Sequence, residues 1–119
     1  MTEQRLIVEM GMGNDLHGQD YTKAAGRAIE DALRHSSLPV FGGIELSPRE
    51  MRVEVMIGVQ EPDKVDCDAL VKLLPRGNAT VRATYGGLNV AGYDGLPIVI
   101  ASASVQAFLP KQTGWRIKK

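Results

Sequence analysis

The sequence predicts a single α+β domain with element order β-α-β-α-β-β, a mixed four-stranded sheet carrying two helices on one face. Three observations predict it. Two-residue alternation of apolar and polar side chains recurs in separate stretches along the chain. A long run of helical periodicity lies between the first two of them, and a shorter one between the second and third. With 119 residues and 44% apolar content, the chain has enough apolar material for one such domain and too little for two.

The first strand spans Arg5 to Met12, with Leu6, Val8, Met10 and Met12 on one side and Ile7, Glu9 and Gly11 on the other. Gly11 and Gly13 are expected to end it, permitting close backbone approach or a positive φ. A helix follows from near Asp20. Its stripe of Tyr21, Ala24, Ala25, Ala28, Ile29, Ala32 and Leu33 is continuous. Because the alanines leave no bulk between helix and neighbour, the helix is expected to lie unusually close to whatever it packs on. Gly26 falls off this stripe and costs roughly 1 kcal/mol of helix propensity. Ser36, Ser37, Pro39, Gly42 and Gly43 mark a connecting loop, and His35 is placed to meet the last helical carbonyls.

Met51 to Val59 alternates as the second strand, with Met51, Val53, Val55, Ile57 and Val59 on its buried face. A shorter helix from Asp66 to Leu74 carries Cys67, Leu70, Val71 and Leu74 at helical spacing, and Pro75 and Gly77 stop it. Ala79 to Tyr85 is the third strand. A glycine-rich loop from Gly86 leads to the fourth, Ile98 to Phe108. Residues 1–110 thus form the domain, and 111–119 a basic tail whose expected anchor is Trp115. Two helices cannot cover both faces of such a sheet. The open face is expected to be polar, with Glu9, Arg52, Glu54, Arg82, Ser102 and Ser104, and to be either wet or packed on another subunit.

Formal charge is zero, so no bulk attraction draws the chain to nucleic acid or an anionic membrane. Aromatic content of 5% also argues against a stacking platform for single strands. The lone Cys67 excludes an internal disulfide and suits a reducing compartment. No signal-peptide pattern opens the sequence, and no apolar run reaches the roughly 20 residues of a membrane span. The expectation is a cytoplasmic protein whose partner is another copy of itself.

Chemistry is expected on the loop between the first strand and the long helix, Asn14 to Lys23. Histidine as a residue type titrates near neutrality, and Asp15 or Asp20 can orient the ring of His17, with His17 and Asp15 the candidate acid–base pair. Lys23 and Thr22 sit in the first helical turn, where free backbone N–H groups favour an anion. Together with Gly13, Gln19 and Asp20 they form the candidate site for a small polar or anionic metabolite. Asp20 also suits the helix N-cap. Asp15, His17 and Asp20 could hold a divalent ion, but their spacing matches no strong metal signature. Gly11 and Gly13 begin a GxG, yet Asp15 and Leu16 occupy the stretch where a dinucleotide fingerprint needs its third glycine, which argues against a dinucleotide and leaves the cofactor unknown. The alternative reading is a non-enzymatic structural or interaction module whose loop only locks the strand–helix junction.

The stretch GMGNDLHGQDYTKAAGRAIEDALRHSSLP, with MRVEVMIGVQEPDKVD, the glycine pair before Leu88, and IASASVQAF, resembles a small family of conserved hypothetical proteins, the Lin-type family. The resemblance runs from Arg5 to about Ala107. It implies a shared design and supplies no catalytic residue, and the tail KQTGWRIKK departs from the pattern. The element order is similar to that of Bacillus chorismate-mutase-like α+β folds, whose members commonly assemble into rings. That similarity is architectural and carries no activity.

Overall fold

In chain order the elements are β1 (Glu3–Asp15), α1 (Tyr21–Arg34), β2 (Arg52–Val59), a 3-10 turn (Pro62–Lys64), α2 (Cys67–Val71), β3 (Asn78–Tyr85), β4 (Leu88–Ala91) and β5 (Pro97–Pro110). The structure is a computed structural model that describes residues 3–16, 18–34, 52–74, 78–92 and 95–110. His17, His35, the connecting loop with Pro39, Met51, Pro75, Gly77, and the tail with Trp115 lie outside the described residues.

The architecture is α+β. Five strands form one mixed sheet in the order β1-β5-β2-β3, with β4 paired to β5. β5 runs antiparallel to β1, β2 and β4, whereas β2 and β3 are parallel. The expectation of four strands is corrected by β4, a four-residue strand with every side chain exposed. It buries nothing, so it leaves no apolar alternation to read. Gly86 and Gly87 carry the chain from β3 to β4 across the end of β2. A Cβ at Gly87 would stand 2.3 Å from the Ile100 carbonyl oxygen and 2.7 Å from that of Gly58, and its φ of +59° is left-handed, so only glycine fits this crossing.

One face of the sheet is covered. Val53, Val55, Ile57 and Val59 of β2, and Val99, Ala101, Ala103, Val105 and Ala107 of β5, are buried with the α1 stripe of Ala24, Ala25, Ala28, Ile29 and Ala32. Leu70 of α2 joins the same core. Gly26, read from sequence as off the stripe, is buried where Leu70 of α2 and Leu73, two residues beyond its end, reach α1.

β1 departs most from expectation. It runs through both glycines to Asp15 and turns Gly11 and Gly13, not its methionines, toward α1. A Cβ on Gly11 would lie 2.4 Å from the Ala28 oxygen and the Ala32 nitrogen. A Cβ on Gly13 would lie 2.3 Å from the Ala28 nitrogen and 2.5 Å from the Ala24 oxygen. Glycines on the strand and alanines on the helix therefore let two backbones meet almost directly. The period of two then sends Met10 and Met12 to the open face, 71% and 63% exposed. Glu9, expected among the open-face polar residues, instead shares the register of buried Val105.

α1 also closes part of the sheet's outer edge. Asp31 accepts from the Met12 backbone N–H at 2.9 Å, and Arg27 Nη1 donates to the Asn14 carbonyl at 2.6 Å. Edge groups that would otherwise recruit another strand are satisfied there by the helix.

Candidate functional site

The last residue of β1 is Asp15, which lies 4% exposed in the register of buried Val99 and is the charged residue buried among the described residues. Its Oδ2 accepts from the backbone N–H groups of Gly18 at 3.1 Å and Asp20 at 2.8 Å. The carboxylate therefore folds the chain back on itself and aims it into α1. A Cβ at Gly18 would stand 2.9 Å from Asp15 Oδ2, so any side chain there would press on the carboxylate. Gln19 takes a φ of +51°, a conformation that costs a non-glycine residue about 1 kcal/mol. Asp20 then caps α1, its Oδ1 accepting from Lys23 N at 3.0 Å.

The other oxygen of Asp15 faces two cations. Lys23 Nζ lies 3.9 Å from Oδ1 and Arg27 Nη1 3.8 Å, with about half of each cationic side chain exposed. Those separations exceed the roughly 2.7–2.9 Å of a charge-assisted hydrogen bond. Arg27 Nη1 is engaged by the Asn14 carbonyl, and both cationic side chains border a hollow of about 330 Å³, lined by Asp15, Leu16, Gly18, Asp20, Lys23 and Arg27. Two carboxylates and two cations leave the hollow formally neutral.

Of the residues read as a site from sequence, Asp15, Asp20 and Lys23 come together here. Gly13 lies against the backbone of α1 instead, and Gln19 is exposed at the turn. The Thr22 hydroxyl is engaged elsewhere. It accepts from Asp66 N at 2.8 Å and approaches the Lys64 carbonyl at 3.4 Å, tying α1 to the segment before α2. His17 falls outside the described residues. Among the described residues no three His, Cys, Asp or Glu side chains converge as metal ligands.

Arg27, outside the apolar stripe of the helix, was not among the residues read as a site from sequence, and neither was a second polar cluster at the same end of the sheet. The Tyr21 hydroxyl donates to Glu61 Oε2 at 2.8 Å and accepts from Asn89 Nδ2 at 2.8 Å. Lys64 Nζ lies 3.2 Å from Glu61 Oε1. The Tyr21 hydrogen bond first, and the Lys64 ammonium second, hold the Glu61 carboxyl below its ordinary range. Beside it, Gln60 Nε2 donates to the carbonyls of Gly86 and Gly87 at 3.0 and 3.2 Å. Glu61 follows the buried end of β2 and Asn89 lies on β4, so nothing local in the sequence linked them to Tyr21. Cys67 is half-buried on α2, and burial, then Asp68 and Asp66, push its thiol up, which suits packing better than nucleophilic attack.

The family model described as a conserved hypothetical protein (Lin0512_fam) matches residues 5–107, and the chain belongs to this family. No curated protein matches the chain. A crystal structure of an FtsZ-like protein of unknown function from Nostoc punctiforme is similar over 93% of this chain and 99% of that one, at 36% identity and a TM-score of 0.81. Among the described residues no helix is long and apolar enough to cross a membrane.

Proposed function

We propose that this member of the Lin0512 family binds a small polar or anionic metabolite in the hollow beside Asp15, with Lys23 and Arg27 as the groups that hold it. The observation that carries the reading is the spacing of the two cations. Each stands close enough to Asp15 to be positioned by it, yet too far to be consumed by it. A carboxylate or phosphate oxygen entering the hollow takes the Lys23 ammonium and the Arg27 N–H groups that Asn14 does not engage, and the N-terminal turn of α1 adds its dipole. Asp20 repels a second negative charge, so a monoanion or a zwitterion suits the hollow better than a polyanion. His17, between the lining residues Leu16 and Gly18 in sequence, is the group we assign to acid–base chemistry if turnover accompanies binding.

Thermal-shift and calorimetric titrations with inorganic phosphate, small carboxylates and amino acids test this, since a ligand specific to the native state raises its melting temperature. At least one should stabilise the wild type, and Lys23→Gln should abolish the shift while leaving the unliganded melting temperature within about 2 °C. A panel without effect on the wild type, or a shift that survives Lys23→Gln, refutes the assignment. His17→Ala separates binding from chemistry, because it should spare the shift and remove turnover.

A second reading has its own support. Asp15, Asp20 and Arg27 all make bonds that hold the strand–helix junction, which is what a purely structural loop requires. On that reading the loop positions α1, and interaction with other proteins is the function. For architecture, we infer likeness to the Bacillus chorismate-mutase-like folds, supported by the mixed sheet with one helix-covered face.

A further inference from the structure

We propose that the open face of the sheet is the seat of a second copy of this chain. The register places its side chains in rows. Met10, Ser104, Met56 and Arg82 form one row, and Met12, Ser102, Gly58 and Thr84 the next. Small residues at the centre and methionines around them leave a shallow groove of about 640 Å³. Val8 and Met56 are 44% and 41% exposed, and Met10 and Met12 more so. A contiguous exposed apolar surface of several hundred Å² on a soluble domain marks an interaction site, and methionine packs against an irregular partner more readily than branched side chains do.

Three observations select a second copy as the occupant. The first is size. Four strands about 4.8 Å apart and about 3.3 Å of rise per residue give a projected face of roughly 600 Å² between Arg5 and Asn14. Side-chain relief raises the accessible area toward the approximately 800 Å² per partner of a stable complex. The second is charge. The chain carries zero formal charge, so two copies meet without net repulsion. The face itself is mixed in sign, with Arg52 and Glu54 paired at 2.7 Å and Arg82, which has no acceptor among the described residues, on the neighbouring strand. An opposed copy can set that arginine against a carboxylate. The third is the edge. Asp31 and Arg27 occupy the outer backbone groups of Met12 and Asn14, which disfavours strand addition there, so beside its methionines β1 offers a second copy its face rather than its edge.

This inference does not rest on the metabolite reading, because the hollow lies on the other side of β1. Sedimentation equilibrium on the full chain tests it. The wild type should show at least twice the 12.9 kDa chain mass at micromolar concentration. Met10→Glu/Met56→Glu should weaken association by about a hundredfold or more, since carboxylates would be buried without partners. It should keep the wild-type circular dichroism, because both positions are solvent-exposed within one chain. Met10→Glu alone, the milder variant, should weaken association in the same direction. Lys23→Gln should leave the mass unchanged, so failure here and failure of the ligand assignment are separable. Hydroxyl-radical footprinting adds an independent readout, with Met10 and Met12 protected in the wild type and oxidised in the double variant. A monomeric wild type at 100 micromolar overturns the proposal, as does an oligomer unaffected by the double variant. A monomer whose Met10 and Met12 are still protected overturns it too, and assigns the face to another part of the same chain.

Discussion

Replacing Gly13 by alanine tests the packing on which the fold depends. The added Cβ would stand 2.3 Å from the Ala28 nitrogen and 2.5 Å from the Ala24 oxygen, about 1 Å short of ordinary contact, which begins at 3.4 Å. Both obstacles are helix backbone, so no side chain can rotate away and α1 itself must lift. Overpacking of this kind costs about 1–3 kcal/mol. A lift of about 1 Å also stretches the bonds from Asp31 to Met12 N and from Arg27 to the Asn14 oxygen, at about 1 kcal/mol each. The expected loss is about 3–5 kcal/mol, a large part of the roughly 5–15 kcal/mol that holds a domain together. In a chain of this length it lowers the melting temperature by about 10–20 °C.

Gly26→Ala, on the helix that Gly13 meets, is the matched control. Its Cβ would meet Leu73 Cδ1 at 3.2 Å and Leu70 Cδ2 at 3.6 Å, the movable ends of flexible side chains. Helix propensity gains about 1 kcal/mol, so the net change should stay within about 1 kcal/mol of zero. Urea unfolding of both variants provides the measurement. A Gly13→Ala loss below about 1 kcal/mol, or a Gly26→Ala loss as large as that of Gly13→Ala, would show that the backbones are not in the contact described.

Three other outcomes follow from the same geometry. Asp15→Asn should cost about 2–4 kcal/mol in urea unfolding, because it removes the charge from an acceptor shared by two backbone N–H groups and flanked by two cations. Glu61 titrates below its ordinary range, so its contribution to stability is complete above about pH 4.3 and is lost as pH falls through its folded-state value. Tyr21→Phe should move the carboxyl titration, followed by carbon-13 NMR, upward toward the ordinary range and flatten that part of the acid melting curve. Cys67 should react with a disulfide reagent at pH 7 more slowly than a free thiol, and at a comparable rate only in denaturant, since its thiol is pushed up chiefly by burial.

What the sequence made legible follows from which residues signal locally. The α1 stripe is readable because alanine, isoleucine and tyrosine recur at helical spacing, and the cap at Asp20 because aspartate accepts from the third residue beyond it. The face of β1 was misjudged for an equally physical reason. Methionine is the apolar residue and glycine the strand breaker in any local reading, which sends Met10 and Met12 to the core. The decisive fact is nonlocal, since the alanines of α1 have no volume to fill a gap and require a partner equally empty. Gly11 and Gly13 answer Ala24, Ala28 and Ala32, and that complementarity is visible only when strand and helix are read together. Likewise Asn89 reaches Tyr21 across 68 positions and Glu61 across 40, distances over which side-chain spacing carries no signal.

The seam of small residues has a consequence for function. A helix pressed against a strand buries little apolar volume per residue, so the covered face cannot gain stability from large side chains there. The large, soft ones stand on the opposite face, where a single chain leaves them in water. The same two-residue period that places Gly11 and Gly13 against the helix fixes Met10 and Met12 outside, so one cannot be altered without the other. Close packing of α1 also brings Arg27 and Asp31 over the sheet edge and Lys23 over the end of β1, which is how the hollow beside Asp15 is formed. Lifting the helix with Gly13→Ala should therefore loosen the hollow and the edge together, while the methionine face, which contributes no side chain to that seam, should retain its capacity to associate for as long as the sheet stays folded.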